Sequence, residues 1–338
     1  MKKRIPAVLA LLLIACSALA TPTVLPATAT AVILPSATPV TPVPLSTPTL
    51  EPYEQYTIDY LRKRTYGGGR IEILDKLAET DLYTSYSIRY PSDGLNIYGF
   101  VNIPKGSGPF PIIIPIHGYA PYGSYNVFDP TADFADILAE NQYIVVHPGL
   151  RNHPPSDSGD NLLRVGMSVD VMNLIALLKD KNNLPPELAA VDPDRMGLWG
   201  YSLGGEIALR VLTLSPDIKA TVLYSTLSGN TELNSRQLYH VLQDDQFQQD
   251  FKVPIEMMSR ISPMNYYHDI KSAIQLHHGL ADTTAPVSWA VETCSFLESA
   301  GVSVQCIYYP GADHVFRRHD FEKVVASALD FYKLHLSP

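Results

Sequence analysis

Positive charge is scarce in this sequence: 25 Lys and Arg stand against 34 Asp and Glu, a formal balance of −9. That balance excludes nucleic acid as a partner, because affinity for phosphates is built largely from Lys and Arg contacts. Cysteine is sparser still, with three residues in 338, so the chain is not a disulfide scaffold. There is no paired C-x-x-C and no H-E-x-x-H, and neither a metal nor another cofactor is expected. Residues 5–20 are apolar but fall short of the roughly 20 residues that span a bilayer, and Pro6 sits near their start. Hydrophobic residues nevertheless make up 46% of the chain, enough for a single large core.

Charge is also missing from one whole region. After Lys2, Lys3 and Arg4 no Asp, Glu, Lys or Arg occurs before Glu51. The basic start, the apolar run Ala7 to Ala15 and the small residues after it have the layout of a secretory signal, assigned to residues 1–20. Leu13-Ile14-Ala15-Cys16 resembles the bacterial lipoprotein box, in which the cysteine is lipidated and becomes the new N-terminus. Ordinary cleavage after Ala20 and an uncleaved segment are the alternatives. Residues 21–52 form a Thr/Pro-rich linker; eight Thr and seven Pro fall within 21–50, a composition that cannot bury enough surface to fold and that favours extended polyproline II. At ~3.1 Å per residue such a tether reaches ~90 Å from an anchor. The expected location is the cell envelope, with a membrane partner reached through a lipid anchor at Cys16, or else secretion.

Residues 53–338 read as one α/β domain. Leu82 to Tyr90 and Leu95 to Ile103, joined through Pro91-Ser92-Asp93-Gly94, form a hairpin pattern. Short apolar runs follow at Pro111 to Ile116, Tyr143 to Val146, Arg195 to Trp199, Ala220 to Tyr224, Ile274 to His277 and Val302 to Tyr309. Amphipathic stretches alternate with them, including Met167 to Lys181, Leu203 to Leu214 and Val287 to Ala300. That alternation predicts a mostly parallel central sheet with helices on both faces. Residues 225–268 interrupt it with a polar, Gln/Asp-rich stretch, read as a small helical lid insertion. The three glycines 67–69 lack the Lys and Ser/Thr of a phosphate loop and read as a turn.

The chemistry is concentrated in Gly200-Tyr201-Ser202-Leu203-Gly204, the single G-x-S-x-G of the chain, placed where a strand pattern gives way to a helix. A serine on such a turn projects above the sheet, and glycines two before and two after it avoid the neighbouring strand and helix. A serine nucleophile needs a base, and the base needs an orienting carboxylate. Asp282 follows the strand that ends at Gly279, and His314 follows the next strand, in the loop Pro310-Gly311-Ala312-Asp313-His314. Parallel strands end on one side of a sheet, so all three loops open together. The Leu203 amide at the helix start and the Tyr119 amide of His117-Gly118-Tyr119 are the expected oxyanion donors, with Ala120 in reserve. Asp313 is too close in sequence to His314 to orient its ring and reads as a loop residue; His117, His277, His278 and His319 read as structural or surface histidines. Glu206 reads as an acid favouring the dipole of its helix. Asp157 and Asp160 read as solvated loop residues, with pocket shaping as the alternative.

Together, Val191-Asp192-Pro193-Asp194-Arg195 leading into Gly200-Tyr201-Ser202-Leu203-Gly204-Gly205, His278-Gly279 with Asp282 and Pro286, and Pro310-Gly311-Ala312-Asp313-His314 resemble the catalytic domain of the prolyl oligopeptidase (S9) family. The neighbouring dienelactone-hydrolase-like esterases are resembled as well. The resemblance implies the α/β-hydrolase fold and a serine peptidase or esterase with Ser202, Asp282 and His314 as its triad, acting on a small ester or peptide substrate. Leu203 stands where the S9 family often has Tyr, and the roughly thirty residues between tether and hairpin leave no room for a β-propeller, so esterase activity stays open beside peptidase activity. A surface binding lipoprotein on a retired hydrolase fold is the reading from another class, and the intact order Ser, Asp, His counts against it.

Two cysteines remain in the folded part. Ala290, Val291, Cys294 and Leu297 share a helical face by spacing, and Val302, Val304, Cys306 and Tyr308 share a strand face by alternation. Cys294 and Cys306 can therefore meet, either as a disulfide or as two buried free thiols.

Overall fold

The structure, a computed structural model, describes residues 51–121, 125–127, 132–243 and 245–337. Cys16, the signal and nearly all of the linker lie outside the described residues. The chain from Thr49 to Pro338 is one compact unit. Its strands are β1 (Glu72–Glu79), β2 (Tyr83–Ser92), β3 (Leu95–Pro104), β4 (Phe110–Ile116), β5 (Ile144–Pro148), β6 (Val191–Tyr201), β7 (Ile218–Tyr224), β8 (Ala273–Gly279) and β9 (Val304–Tyr309). They form one sheet in the order β1-β2-β3-β5-β4-β6-β7-β8-β9. The first three strands and the β3–β5 pair are antiparallel, and every later pairing is parallel. Asp93 and Gly94 turn the β2–β3 hairpin with φ of 51° and 82°, the left-handed pair that suits the twist of the strands it joins.

Alternation along the parallel strands decides which helix packs where. Ile112, Ile114, Leu198 and Leu276 face α3 (Val165–Lys179), α4 (Leu203–Leu214) and α7 (Val287–Ser299). Ile113, Val145, Trp199 and Val222 face α2 (Ala132–Glu140) and α8 (Arg318–Leu336) on the opposite side. The parallel strands are therefore buried on both faces, which is why they read as continuous apolar runs.

Two elements are additional to those expected. The six-residue α1 (Ile58–Lys63) is capped by Thr57, whose Oγ1 accepts from the Tyr60 amide. β1 is an edge strand whose pairing with β2 is interrupted twice. Its apolar residues Ile73, Leu74 and Leu77 do not alternate, and most of its side chains are exposed, so no periodic signal marks it.

The stretch 225–268 is helical, as its pattern suggests. It holds α5 (Thr231–Leu242), a 3-10 segment Asp245–Lys252, α6 (Ile255–Ile261) and a second 3-10 segment, Pro263–Asp269. Val253, Met258 and Ile261 of this lid pack with Leu61 of α1 and with Leu163, Val165 and Val169. Lid and N-terminal segment thereby share one apolar cluster.

Cys294 of α7 and Cys306 of β9 are joined by a disulfide with Cα atoms 6.5 Å apart. Ala290, Cys294 and Leu297 face inward as their spacing predicts, but Val291 does not and is 52% exposed. One residue advances a helix by about 100°, and beside Ala290 that step carries Val291 around to the solvent side. The bond closes a loop with a sequence separation of 12, worth about 3 kcal/mol in the chain-entropy description. Replacing both cysteines by Ala should lower the thermal midpoint by about 6–12 °C. Calorimetry of the variant beside the oxidised parent measures this, and identical midpoints would show that the bond contributes nothing to stability.

Candidate active site

The site begins with a strained backbone. Ser202 ends β6 and opens α4 with φ 53° and ψ −117°, a conformation that L-residues rarely hold and that costs on the order of 1–3 kcal/mol. Neighbouring backbone fixes it from several sides. The Ser202 amide donates to the Tyr224 carbonyl at 3.0 Å, while the Ser202 carbonyl accepts from the amides of Gly205 at 2.9 Å and Leu227 at 3.1 Å. Glycine is obligatory around the turn because strand and helix approach so closely. A Cβ on Gly204 would lie 2.1 Å from the Ile116 carbonyl oxygen, and one on Gly200 would lie 2.8 Å from that of Gly204.

His314 and Asp282 reach Ser202 from the two following loops. The Leu280 amide donates to the Tyr309 carbonyl at 3.0 Å and the Ala281 amide to the Ala312 carbonyl at 2.9 Å, which stitches the acid loop to the histidine loop. Gly279 permits that approach, since a Cβ there would stand 2.3 Å from the Ala312 oxygen. Asp282 Oδ1 accepts from the amides of Thr284 at 2.9 Å and Ala285 at 2.8 Å, an Asx-type turn. Its Oδ2 lies 2.8 Å from His314 Nδ1, and His314 Nε2 lies 2.9 Å from Ser202 Oγ. A carboxylate only accepts, so Nδ1 carries the proton and the Nε2 lone pair faces the serine hydroxyl. The Asp282 side chain is fully buried and that of His314 is 13% exposed: a dry acid, with a ring that solvent or substrate can still reach.

An aromatic floor supports the histidine. The Tyr201 ring lies 5.6 Å from that of His314 and 5.1 Å from that of Tyr224, and the Tyr224 hydroxyl accepts from the Phe316 amide at 2.7 Å. Burial, with Asp282 nearby, pushes the Tyr201 phenol up to about 12, so it is neutral beside the imidazole. Of the other histidines weighed from the sequence, His117, His277 and His278 are buried and His319 is exposed. His277 bonds to Gln275 and the Tyr309 hydroxyl, and burial holds it down at about 3. The His278 ring donates to the Ala285 carbonyl at 2.9 Å, and burial lowers its pKa too. His117 is buried with Nδ1 2.7 Å from the Gly118 carbonyl, and His319 lies on α8. Asp313 receives the His314 amide at 2.8 Å and belongs to the loop.

Gly118 brings the other expected oxyanion segment to Ser202: a Cβ there would stand 3.2 Å from Ser202 Cβ. Tyr119 and Leu203, the residue after Ser202, both line a cavity of about 330 Å³ whose lining does not include Ser202, Asp282 or His314 themselves, a size suited to a small ligand. The lid contributes Phe247, Gln249 and Asp250 to the same cavity, with the Phe247 ring 6.0 Å from that of Tyr119. Asp160 lines it as well and accepts from the Tyr56 hydroxyl at 2.6 Å, whereas Asp157 instead receives the Asn96 amide at 2.7 Å.

Arg164 in the cavity wall and its partners have no signature in the sequence. Glu206 lies in the first turn of α4, but its main partners are Arg164 and Arg210, at 2.9 Å and 3.0 Å, all fully or almost fully buried. Arg164 also pairs with Asp250 of the lid at 2.6 Å. Burial opposes the charge on Arg164, but the two carboxylates outweigh it and its pKa is raised. Partners separated by 42 and 86 positions leave no local pattern to read. Among the described residues no group of three or more His, Cys, Asp or Glu is placed to hold a metal ion.

The family model described as the prolyl oligopeptidase family matches residues 184–338, the part that carries Ser202, Asp282 and His314. A search of curated proteins found no match. Among solved structures, acetyl xylan esterase 1 from Thermoanaerobacterium sp. JW/SL YS485 is similar with a TM-score of 0.60 at 20% identity, over 85% of this chain and 96% of that one. The acylaminoacyl peptidase of Pyrococcus horikoshii is similar with a TM-score of 0.55 at 19% identity, over 76% of this chain and 41% of that one. A putative dienelactone hydrolase from Klebsiella pneumoniae subsp. pneumoniae MGH 78578 is similar with a TM-score of 0.54 at 17% identity, over 74% and 99% respectively. The chain therefore has the fold of the α/β hydrolases, and its residues 184–338 resemble the prolyl oligopeptidase family.

Proposed function

We propose that the protein is a serine hydrolase that cleaves an ester or a peptide/amide bond through an acyl-enzyme on Ser202. The observation that carries this reading is the continuous chain from Ser202 Oγ through both nitrogens of His314 to Asp282 Oδ2, at 2.9 and 2.8 Å, mounted on a strained strand-to-helix turn. In the first half-reaction His314 Nε2 takes the hydroxyl proton as Ser202 Oγ bonds to the substrate carbonyl carbon; the imidazolium then gives that proton to the leaving alcohol or amine. Asp282 keeps the imidazole in the tautomer that leaves Nε2 free and stabilises its charge. In the second half, water replaces the leaving group and the same proton movements release the acid. The Leu203 and Tyr119 amides are the proposed donors to the oxyanion, Leu203 being the first residue of α4, where the helix dipole is also favourable.

Carboxylester hydrolysis draws separate support from the two esterase-type structures, each of which this chain spans almost completely. We further propose export, with Cys16 lipidated and residues 21–52 as the tether, on the sequence pattern alone.

Ser202→Ala should lower kcat by about 10³ to 10⁶, with Asp282→Asn and His314→Ala losing on a similar scale and non-additively. Steady-state kinetics on a panel of short esters and aminoacyl or peptidyl amides measures this and separates esterase from peptidase. A Ser202→Ala protein that keeps most of its activity would remove the basis of the proposal. For the anchor, fractionation of host cells should find the protein with membranes and Cys16→Ser protein in the soluble fraction or unprocessed. An unmodified Thr21 at the mature N-terminus, read by mass spectrometry, would establish simple secretion instead.

A further inference from the structure

The lining of the cavity that Leu203 borders contains one permanent cation among the described residues, Arg164. A guanidinium in a pocket wall is the usual receptor for a substrate carboxylate, because its planar donors match two oxygens at once. Here four of its five N–H groups are directed at protein acceptors. Arg164 Nε donates to Glu206 Oε2 at 2.9 Å, and Nη2 reaches Glu206 Oε1 at 3.4 Å and Ser235 Oγ at 3.0 Å. Nη1 donates to Asp250 Oδ2 at 2.6 Å.

Asp250 comes from the lid, and it is held there by more than charge. Its Oδ2 also accepts from the Ser235 hydroxyl at 2.7 Å, and its Oδ1 accepts from the Leu163 amide at 3.0 Å. Leu163 and Arg164 are consecutive non-glycine residues with φ of 53° and 60°, a costly pairing that the Asp250 carboxylate stabilises from outside. Glu206 and Asp250 balance Arg164 and Arg210, so this buried wall is neutral as a unit. At the exposed end of the cavity Asp160 adds a negative charge, with the Tyr56 hydroxyl and the Leu162 amide as its hydrogen-bond partners. An anionic group entering the cavity would meet a cation already paired with two carboxylates, and the further acid Asp160.

We propose that Asp250 is a specificity-determining residue that reserves this cavity for substrate groups without a carboxylate, by occupying the guanidinium edge that a substrate anion would otherwise bind. The lid thereby sets the charge of the pocket as well as part of its wall. Without Asp250 the buried unit carries a net positive charge, and Arg164 Nη1 becomes the receptor that it is now prevented from being. This inference rests on Ser202 being the nucleophile.

The test uses two activated esters of similar length, 4-nitrophenyl hexanoate and the 4-nitrophenyl monoester of adipic acid, which differ in a terminal carboxylate. The parent protein should prefer the hexanoate by at least about tenfold in kcat/KM. Asp250→Ala should raise the adipate-to-hexanoate ratio by about tenfold or more, chiefly through KM, with the gain shrinking as salt rises. Asp250→Asn can keep its oxygen as acceptor for the Leu163 amide and turn its NH2 toward Ser235 Oγ as a donor, while removing the charge. It should move the ratio in the same direction, and circular dichroism shows whether each variant is folded. A parent that hydrolyses both esters equally well, or a folded Asp250→Asn protein with an unchanged ratio, would overturn the proposal. Either result is distinct from failure of the site itself, which Ser202→Ala reports by retaining hexanoate hydrolysis.

Discussion

The backbone at Ser202 is the constraint on which the rest of the site depends. A residue held at φ 53° and ψ −117° persists only where its surroundings over-determine it, and here three backbone hydrogen bonds and two tight glycine approaches do so. The Ile116 and His117 carbonyls crowd Gly204, so the end of β4 is pressed against the first turn of α4. That same contact brings Gly118 and Tyr119 to Ser202. The strain that lifts the hydroxyl out of the sheet and the loop that supplies the proposed second oxyanion donor thus have one cause.

The partners of Ser202 arrive through topology. Because β6, β7, β8 and β9 are parallel neighbours, the loops after β8 and β9 open on the edge where Ser202 stands, and backbone hydrogen bonds between them fix Asp282 against His314. The helix linking these loops, α7, is itself joined to β9 by the disulfide. Acid and histidine therefore stand in the loops that follow the two strands of one braced β-α-β unit. The central strands lie between helices on both faces, so the core that stabilises the protein also sets the spacing of its functional loops.

This division explains what could be read from the sequence. Ser202 was legible because the glycines that its turn requires are adjacent to it. Asp282 and His314 were legible because parallel strands deliver their loops in chain order. The inward faces of α7 and β9 followed from periodicity, with Val291 as the exception that one helical step accounts for. β1 left no trace because an exposed edge strand needs no apolar alternation. Of the cluster of Arg164, Glu206, Arg210 and Asp250, only the Glu206–Arg210 pair has a local, i,i+4 spacing; Arg164 and Asp250 were hidden because the partners of Arg164 lie 42 and 86 positions away in the chain. That cluster joins the lid to α4, the helix that Ser202 precedes, so the lid shares in fixing the pocket wall instead of merely covering it.

The central claim is that Ser202 is the residue that becomes acylated. Its most direct measurement is reaction of the folded protein with a fluorophosphonate, which captures a serine activated by its histidine, followed by peptide mass mapping of the adduct. The account predicts one phosphonyl group per chain, located on Ser202 and absent when His314 is replaced by Ala. An adduct on another residue, or an unlabelled protein that still turns over an ester, would contradict it.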